Sequence, residues 1–355
     1  MNIKTFLFGS IAALVTISGA RAADAVVVAQ PEPVEYVRVC DAYGKGFFYI
    51  PGTETCLKIS GYVRYDATAG DDVYNGGELG TWNKHLRTEI RFDARSETEL
   101  GTLRSYIQSR FEYTDGVNSG GSIPQAFIEL GGFRIGVADE IFGSWTNYVG
   151  DIINDDIVNY NSWATNQVSY TFAGGNGFSA IIAAEQGSSH DGYSDYVIDS
   201  YLPHLLAGVK YEQGWGGVTA IGGYDSNVEE YVGKLRLDVK FGDTFSAFAL
   251  GGYQSGYDDT RVKRNFLAPW HGDWAAWGGL AAKVSDKATV NGLVGYESEG
   301  TITGALNVAY ELVPGFVITP ELNYTKFDGD RKASSLAKGG GDDAFGGTLR
   351  FQRNF

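Results

Sequence analysis

The sequence predicts an all-β fold, a transmembrane antiparallel up-and-down β-barrel of about sixteen strands, and single-chain membrane barrels of this kind have even strand numbers. Three observations carry this. Apolar and polar side chains alternate over segments of roughly ten residues, close to the ~9–11 that a tilted strand needs to cross a bilayer. Strands of soluble sheets are nearer ~5–6 residues. The connections between these segments are short and long in turn. The composition, with 49 Gly and 14% aromatic residues in 355 and a mean hydropathy of −0.16, fits strands of which only every second residue meets lipid, so that hydropathy averages out.

Taken in order, the chain opens on a targeting segment. Lys4 gives a short basic region, 6–18 are apolar, and Ala20-Arg21-Ala22 is an A-x-A cleavage site. The apolar run is too short to span a bilayer as a helix. Cleavage after Ala22 removes Lys4 and Arg21 from a chain whose formal charge is already −15. So acidic a protein is no partner for nucleic acid, whose binding rests on Lys and Arg at the phosphates. Residues 23–56 are expected to form a periplasmic lead. Its two cysteines, Cys40 and Cys56, flank DAYGKGFFYIPGTET, and export into an oxidising compartment predicts a disulfide between them.

The barrel is expected over 57–355. Its first strand is 57–66, with Leu57, Ile59, Val63 and Tyr65 on one face and Lys58, Ser60, Tyr62, Arg64 and Asp66 on the other. The next, to 95, sets Leu86, Ile90 and Phe92 against His85, Arg87, Glu89, Arg91, Asp93 and Arg95. In 102–113, Leu103, Ile107, Phe111 and Tyr113 oppose Arg104, Gln108, Arg110 and Glu112. Further strands are predicted at 125–130, 132–138, 166–172, 178–186, 205–211, 217–224, 231–240, 245–253, 274–283 and 288–297.

The clearest pattern is 301–327. Ile302, Leu306, Val308, Tyr310 and Leu312 alternate with Thr303, Asn307 and Glu311, and after Pro314-Gly315 the even positions Phe316, Ile318, Leu322 and Tyr324 alternate with Thr319, Glu321, Asn323 and Thr325. A period of two puts these sets on opposite faces, and Pro-Gly supplies the turn. The final strand, 345–355, must pair with the first, because an open edge in hydrocarbon leaves backbone groups unpaired at several kcal/mol each. Arg353 interrupts its outward series and belongs at the interface, where Arg can snorkel. Short connections fall at 173–177, 212–216, 241–244, 284–287 and 313–315, and long polar ones at 67–83, 139–165, 187–204, 254–273 and 328–343.

The run VCDAYGKGFFYIPGTETCLKISGYVRYD at 39–66 resembles the N-terminal signature of the alphaproteobacterial porins of the brucella and rhizobial type. The segments SYTF, FAGGNGFSA, AYELVPGF and the terminal RFQRNF extend the likeness over essentially the whole mature chain. The resemblance implies a sixteen-stranded, trimeric, general-diffusion porin of the outer membrane whose third external loop folds into the lumen. It also implies that the terminal Phe355 is read by the barrel-assembly machinery, although Arg353 departs from the strictly alternating signal.

The candidate site follows from charge placement. The loop at 139–160 carries Asp139, Glu140, Asp151, Asp155 and Asp156, and the inward faces of the early strands carry Arg64, Arg87, Arg91, Arg104 and Arg110, with Lys58 and Arg134 as further candidates. An acidic loop across from a basic wall makes a constriction whose field orients water and polar solutes and disfavours apolar ones. Arg suits the wall, being charged at any working pH with five donors. The plainer alternative pairs these arginines with Glu89, Asp93 and Glu112 across strands, with no control of permeation. Four Asp pairs, beginning at Asp71, Asp155, Asp258 and Asp342, could bridge to lipopolysaccharide through divalent cations. Solvated loops account for them as well.

Catalysis finds no motif: the chain has no G-x-S-x-G, H-E-x-x-H, C-x-x-C or P-loop. No cofactor or metal is expected, and His85, His190, His204 and His271 are scattered. The expectation is a passive channel for small hydrophilic solutes and ions. The alternatives are a sugar-selective channel using Tyr62 and Tyr106, a barrel hydrolase whose nucleophile the sequence does not supply, and an adhesive surface protein.

Overall fold

The computed structural model describes residues 38–189, 196–258 and 265–355. The expected signal segment 1–22, residues 23–37 of the lead, His190 and the second residue of the Asp258 pair lie outside them. The described residues include no helix long and apolar enough to cross a membrane. The chain crosses with strands.

A short strand, β1 (Phe48–Tyr49), pairs with the foot of β2 (Cys56–Gly70). The barrel continues through β3 (Asn83–Thr98), β4 (Gly101–Thr114), β5 (Val117–Leu130), β6 (Phe133–Ala138), β7 (Thr165–Gly175) and β8 (Phe178–Glu185). Next come β9 (His204–Gln213), β10 (Gly216–Asp225), β11 (Glu230–Phe241), β12 (Phe245–Gln254) and β13 (Trp274–Ser285). It is completed by β14 (Ala288–Glu297), β15 (Ile302–Val313), β16 (Phe316–Lys326) and β17 (Asp343–Asn354). Each strand from β2 on pairs antiparallel with its sequence neighbour, and β17 pairs with β2, Gly346 opposite Gly70 and Asn354 opposite Tyr62. That pairing closes the ring and removes the edge. Phe355 extends the seam: its N–H donates to the Gly61 carbonyl at 3.0 Å and its carbonyl accepts from the Gly61 N–H at 2.9 Å.

Sidedness follows the period of two. On β15 and β16, Ile302, Leu306, Leu322 and Tyr324 face outward, while Thr303, Asn307, Thr319, Glu321, Asn323 and Thr325 are buried inside. Prolines sit where the ladders give way. Pro124 lies where the β4–β5 register shifts, and the β15–β16 ladder skips the pairs beside Pro320, as expected of a residue with no N–H to donate. At Pro314-Gly315 the turn needs φ of +78° from Gly315, which glycine adopts without cost.

The structure departs from expectation in three ways. β2 and β5 reach further toward the long-loop end than alternation indicated, because 117–124 (VNSGGSIP) is too polar and Gly-rich to show a lipid face. The connections 115–116, 226–229 and 298–301 on that end are tight, so that end carries short turns as well as long loops. The last loop contains a helix, α2 (Gly329–Ala337), capped by the Asp328 side chain at the Gly329 N–H. At the opposite end the Cys40–Cys56 disulfide is formed, with Phe47 buried against it and Tyr43 bonded to Glu97.

The interior is not uniformly polar. One side holds an apolar cluster in which Phe142, Tyr160, Phe266 and Trp270 from loops meet Ile181, Leu206, Leu250, Trp277 and Leu293 from strands. Ile181 is 5% exposed and its neighbour Ile182 62%. In the run SAIIAAE both faces are apolar, so alternation could not tell lipid from loop.

Candidate functional site

The loop 139–164 fills that apolar side, and the water-accessible lumen lies on its other flank, where a cavity of about 800 Å³ runs between the loop and the inner faces of β2, β3, β4 and β17. The loop enters through a single helical turn, α1 (Ile141–Ser144). Glu140 caps this turn at the Gly143 N–H (2.8 Å) and accepts from the Ser162 N–H (3.0 Å), closing the loop's two ends together. It is 1% exposed; burial pushes its carboxyl above the ordinary range, and Lys234 of β11 pulls it back. Lys234 donates to the Tyr160 and Phe142 carbonyls. Arg236 reaches the Tyr148 carbonyl at 3.0 Å and Trp277 the Val158 carbonyl at 2.8 Å. The wall thus supplies donors that the loop's own backbone, lacking regular structure, leaves unfilled.

Four of the five expected loop acids, Asp139, Asp151, Asp155 and Asp156, line the cavity; Glu140 lies behind it. Asp139 accepts from Gln125 Nε2 (2.8 Å) and the Tyr148 hydroxyl (2.7 Å), Asp155 from the Tyr160 hydroxyl (2.9 Å), and Asp156 from the Tyr74 hydroxyl (2.7 Å). Burial, then the neighbouring Asp156 charge, pushes the Asp155 carboxyl up to about 7.

Of the expected arginines, Arg64, Arg87, Arg91 and Arg110 line the cavity opposite. Arg104 does not: it sits nearer the tight turns, in a second cavity of about 520 Å³, bonded to Asp93 (3.0 Å) and Glu129 (2.8 Å). The wall arginines also have partners on the wall. Arg91 and Arg110 share Glu89, Arg87 donates to Glu112, and Arg64 lies 3.6 Å from Asp66. Cross-strand pairing and a basic wall therefore coexist, because each arginine spends one edge of its guanidinium on a neighbour and leaves the rest toward the cavity. Among the described residues no ion pair joins a wall arginine to a loop acid.

Arg350 and Tyr74 are among the lining residues that sequence reasoning did not single out. Arg350 of β17 holds Asp66 through two bonds of 2.8 and 2.9 Å; its even number in 345–355 already placed it inward. Tyr74 comes from the 71–82 loop, whose fold no local pattern announces. Tyr62 lies in the cavity between Arg64 and Arg91, with 5.4 and 5.8 Å from ring to guanidinium, whereas Tyr106 stacks on Phe127 at 5.0 Å and stands apart from the cavity lining. Among the described residues one group could hold a metal ion, His271, Glu299 and Asp330, with ligand atoms within 4.8 Å of one another. None of the three lines the cavity.

Comparison with known proteins bears on the family and the fold. A family described as "Porin subfamily" matches residues 24–347. The chain is 48% identical over 376 residues to Porin Omp2a of Brucella melitensis biotype 1, and 48% identical over 370 to Porin Omp2b of Brucella suis biovar 1, with 100% of each chain covered in both cases. Among solved structures, the outer membrane channel DcaP of Acinetobacter baumannii superposes with a TM-score of 0.66 at 16% identity, covering 86% of this chain and 99% of that one. A variant of the Rh. blastica porin gives 0.59 at 13%, covering 84% and 100%, and an anion-selective porin from Comamonas acidovorans 0.57 at 14%, covering 85% and 100%. At those identities the likeness speaks for the fold alone. The family match and the full-length relatives speak for the rest: the chain belongs to the porin subfamily, and is a general porin of the outer membrane and not an enzyme.

Proposed function

We propose that small hydrophilic solutes and ions pass by unassisted diffusion through the 800 Å³ cavity, and that its constriction is set by Asp139, Asp151, Asp155 and Asp156 on the loop against Arg64, Arg87, Arg91, Arg110 and Arg350 on the wall. The observation that carries this is the cavity itself, with the loop acids on one flank and arginines on the other and, among the described residues, no ion pair across it. Opposed charges in a water-filled gap impose a transverse field, which favours dipolar and charged solutes over apolar ones. A sugar-selective channel is the lesser reading. Tyr62 has two arginines at its ring and Tyr106 is stacked on Phe127 away from the cavity lining, so these two do not form a stacking pair for a sugar.

Residues 1–22 serve as a cleaved export signal, 23–56 as a periplasmic lead and 57–355 as the barrel. Phe355 acts as the assembly signal for the barrel-assembly machinery, and the barrels associate as trimers among lipopolysaccharide. Planar-bilayer recording of the purified protein in a salt gradient tests pore formation, the number of pores per insertion and ion preference together. The double variant Arg87→Gln/Arg91→Gln is expected to move the reversal potential toward cation preference. An unchanged potential refutes the basic wall, and micromolar block by a sugar refutes general diffusion.

A further inference from the structure

The lumen loop is gripped near its tip by a carboxylate that takes no part in lining the pore. Glu321 lies in the middle of β16, points inward and is 2% exposed. Its Oε2 accepts from the Ile153 N–H at 2.6 Å and from Asn307 Nδ2 at 2.9 Å. Its Oε1 accepts from the Asn154 N–H at 2.9 Å, Asn154 Nδ2 at 3.1 Å and Asn323 Nδ2 at 3.1 Å. Among the described residues no cation pairs with it. N–H donors converge on both oxygens, which suits a carboxylate; an amide would turn an NH₂ toward one pair of them. Asn307 extends the grip, its amide also donating to the Asp151 carbonyl at 2.7 Å, and the Asn154 amide meets Asn323 Oδ1 at 3.0 Å.

Ile153 and Asn154 stand between Asp151 and the Asp155-Asp156 pair, and all five line the cavity. Fixing the backbone at 153 and 154 therefore fixes where the acidic side chains begin. We propose that Glu321 is the positioning residue of the constriction: by clamping 153–154 to the wall it sets how far the acidic tip stands from the arginines, and with that the width and ion preference of the channel. This rests on reading the cavity as the constriction. The wall residues at the loop's base, Lys234, Arg236 and Trp277, grip 142, 148, 158 and 160. At the tip Glu321, with its two asparagines, holds the backbone of 153–154, while Tyr74 and Thr348 meet only the side chains of Asn154 and Asp156.

The test is single-channel recording of the full-length barrel carrying Glu321→Gln or Glu321→Ala, with folding verified by the heat-dependent shift in gel mobility. Conductance is expected to rise and the reversal potential to move toward zero, with Gln between the parent and Ala because it keeps one accepting oxygen. Adding the pair Asn154→Cys/Asn323→Cys to Glu321→Ala and oxidising it ties the tip back without restoring the carboxylate, and is expected to return conductance toward the parental value. Parental conductance and potential in Glu321→Ala overturn the proposal, as does a change that the cross-link fails to reverse, which assigns the effect to lost charge. If Glu321→Ala gives no folded barrel, Glu321→Gln decides, and parental behaviour in it overturns the proposal. Recording Arg87→Gln/Arg91→Gln alongside separates the two readings. A silent arginine variant beside an altered Glu321→Ala sinks the basic wall and leaves Glu321, and the opposite pair of results sinks Glu321 alone.

Discussion

Asp155 is expected to make the channel's ion preference depend on pH within the physiological range. Its carboxyl, pushed up to about 7 by burial and by Asp156, is roughly one-tenth ionised at pH 6 and about nine-tenths at pH 8, so the loop gains most of one negative charge between them. A unit charge about 4 Å from a passing ion in water is worth ~1 kcal/mol, several-fold in local cation concentration. Screening shortens its reach to ~10 Å at 0.1 M salt, so the measurement belongs at or below that. Reversal potentials across a planar bilayer in a KCl gradient should move toward cation preference as pH rises from 6 to 8, and Asp155→Asn should flatten the profile. His85 lines the same cavity and would contribute a pH dependence that survives in Asp155→Asn. A flat parental profile, or one unchanged in the variant, refutes the assignment. The linked effect on stability has a definite sign. A carboxyl held above its ordinary value keeps its proton in the fold where the unfolded chain has lost it, so the loop's stability falls as pH rises from about 4 to 7 and is level above that.

Two further outcomes test the sidedness and the loop's footing. Leu306→Arg puts a charge on the outward face of β15, where Leu306 is 54% exposed; near the bilayer midplane this costs about 2–4 kcal/mol, read as a lower urea midpoint in lipid vesicles, and an unshifted midpoint would show that Leu306 does not face lipid. Lys234→Met removes the donor to the Tyr160 and Phe142 carbonyls, about 1–3 kcal/mol for each buried group left unfilled. Amide exchange in 141–160 should quicken while the strands stay protected, and unchanged exchange there counts against the anchor.

Much of this was legible in the sequence because a strand's pattern is local. Leu306 beside Asn307, or Leu322 beside Glu321, declares which face meets lipid without knowledge of any other strand, and the same alternation sends Arg64, Arg87, Arg91 and Arg110 inward. It would have found Arg350 too. The pattern fails where both faces are apolar, as at Ile181 and Ile182, since an inward Ile packed on a loop and an outward Ile in lipid look alike in sequence. It fails again in 117–124, where neither face is apolar enough to read.

The sequence by itself determined a closed barrel, its inside and outside, its disulfide and its family, all properties written in neighbouring residues or in runs of them. Only the tertiary structure decided which charges confront one another. Asp155 and Glu140 are both acids of one loop, yet one lines the water and the other caps a buried helical turn. What separates them is where the loop is tied, by Lys234, Trp277 and Glu321, the last 168 residues from the Ile153 N–H it holds. Contacts made across that distance depend on ring closure bringing β11, β13 and β16 around the loop, and no local periodicity records them.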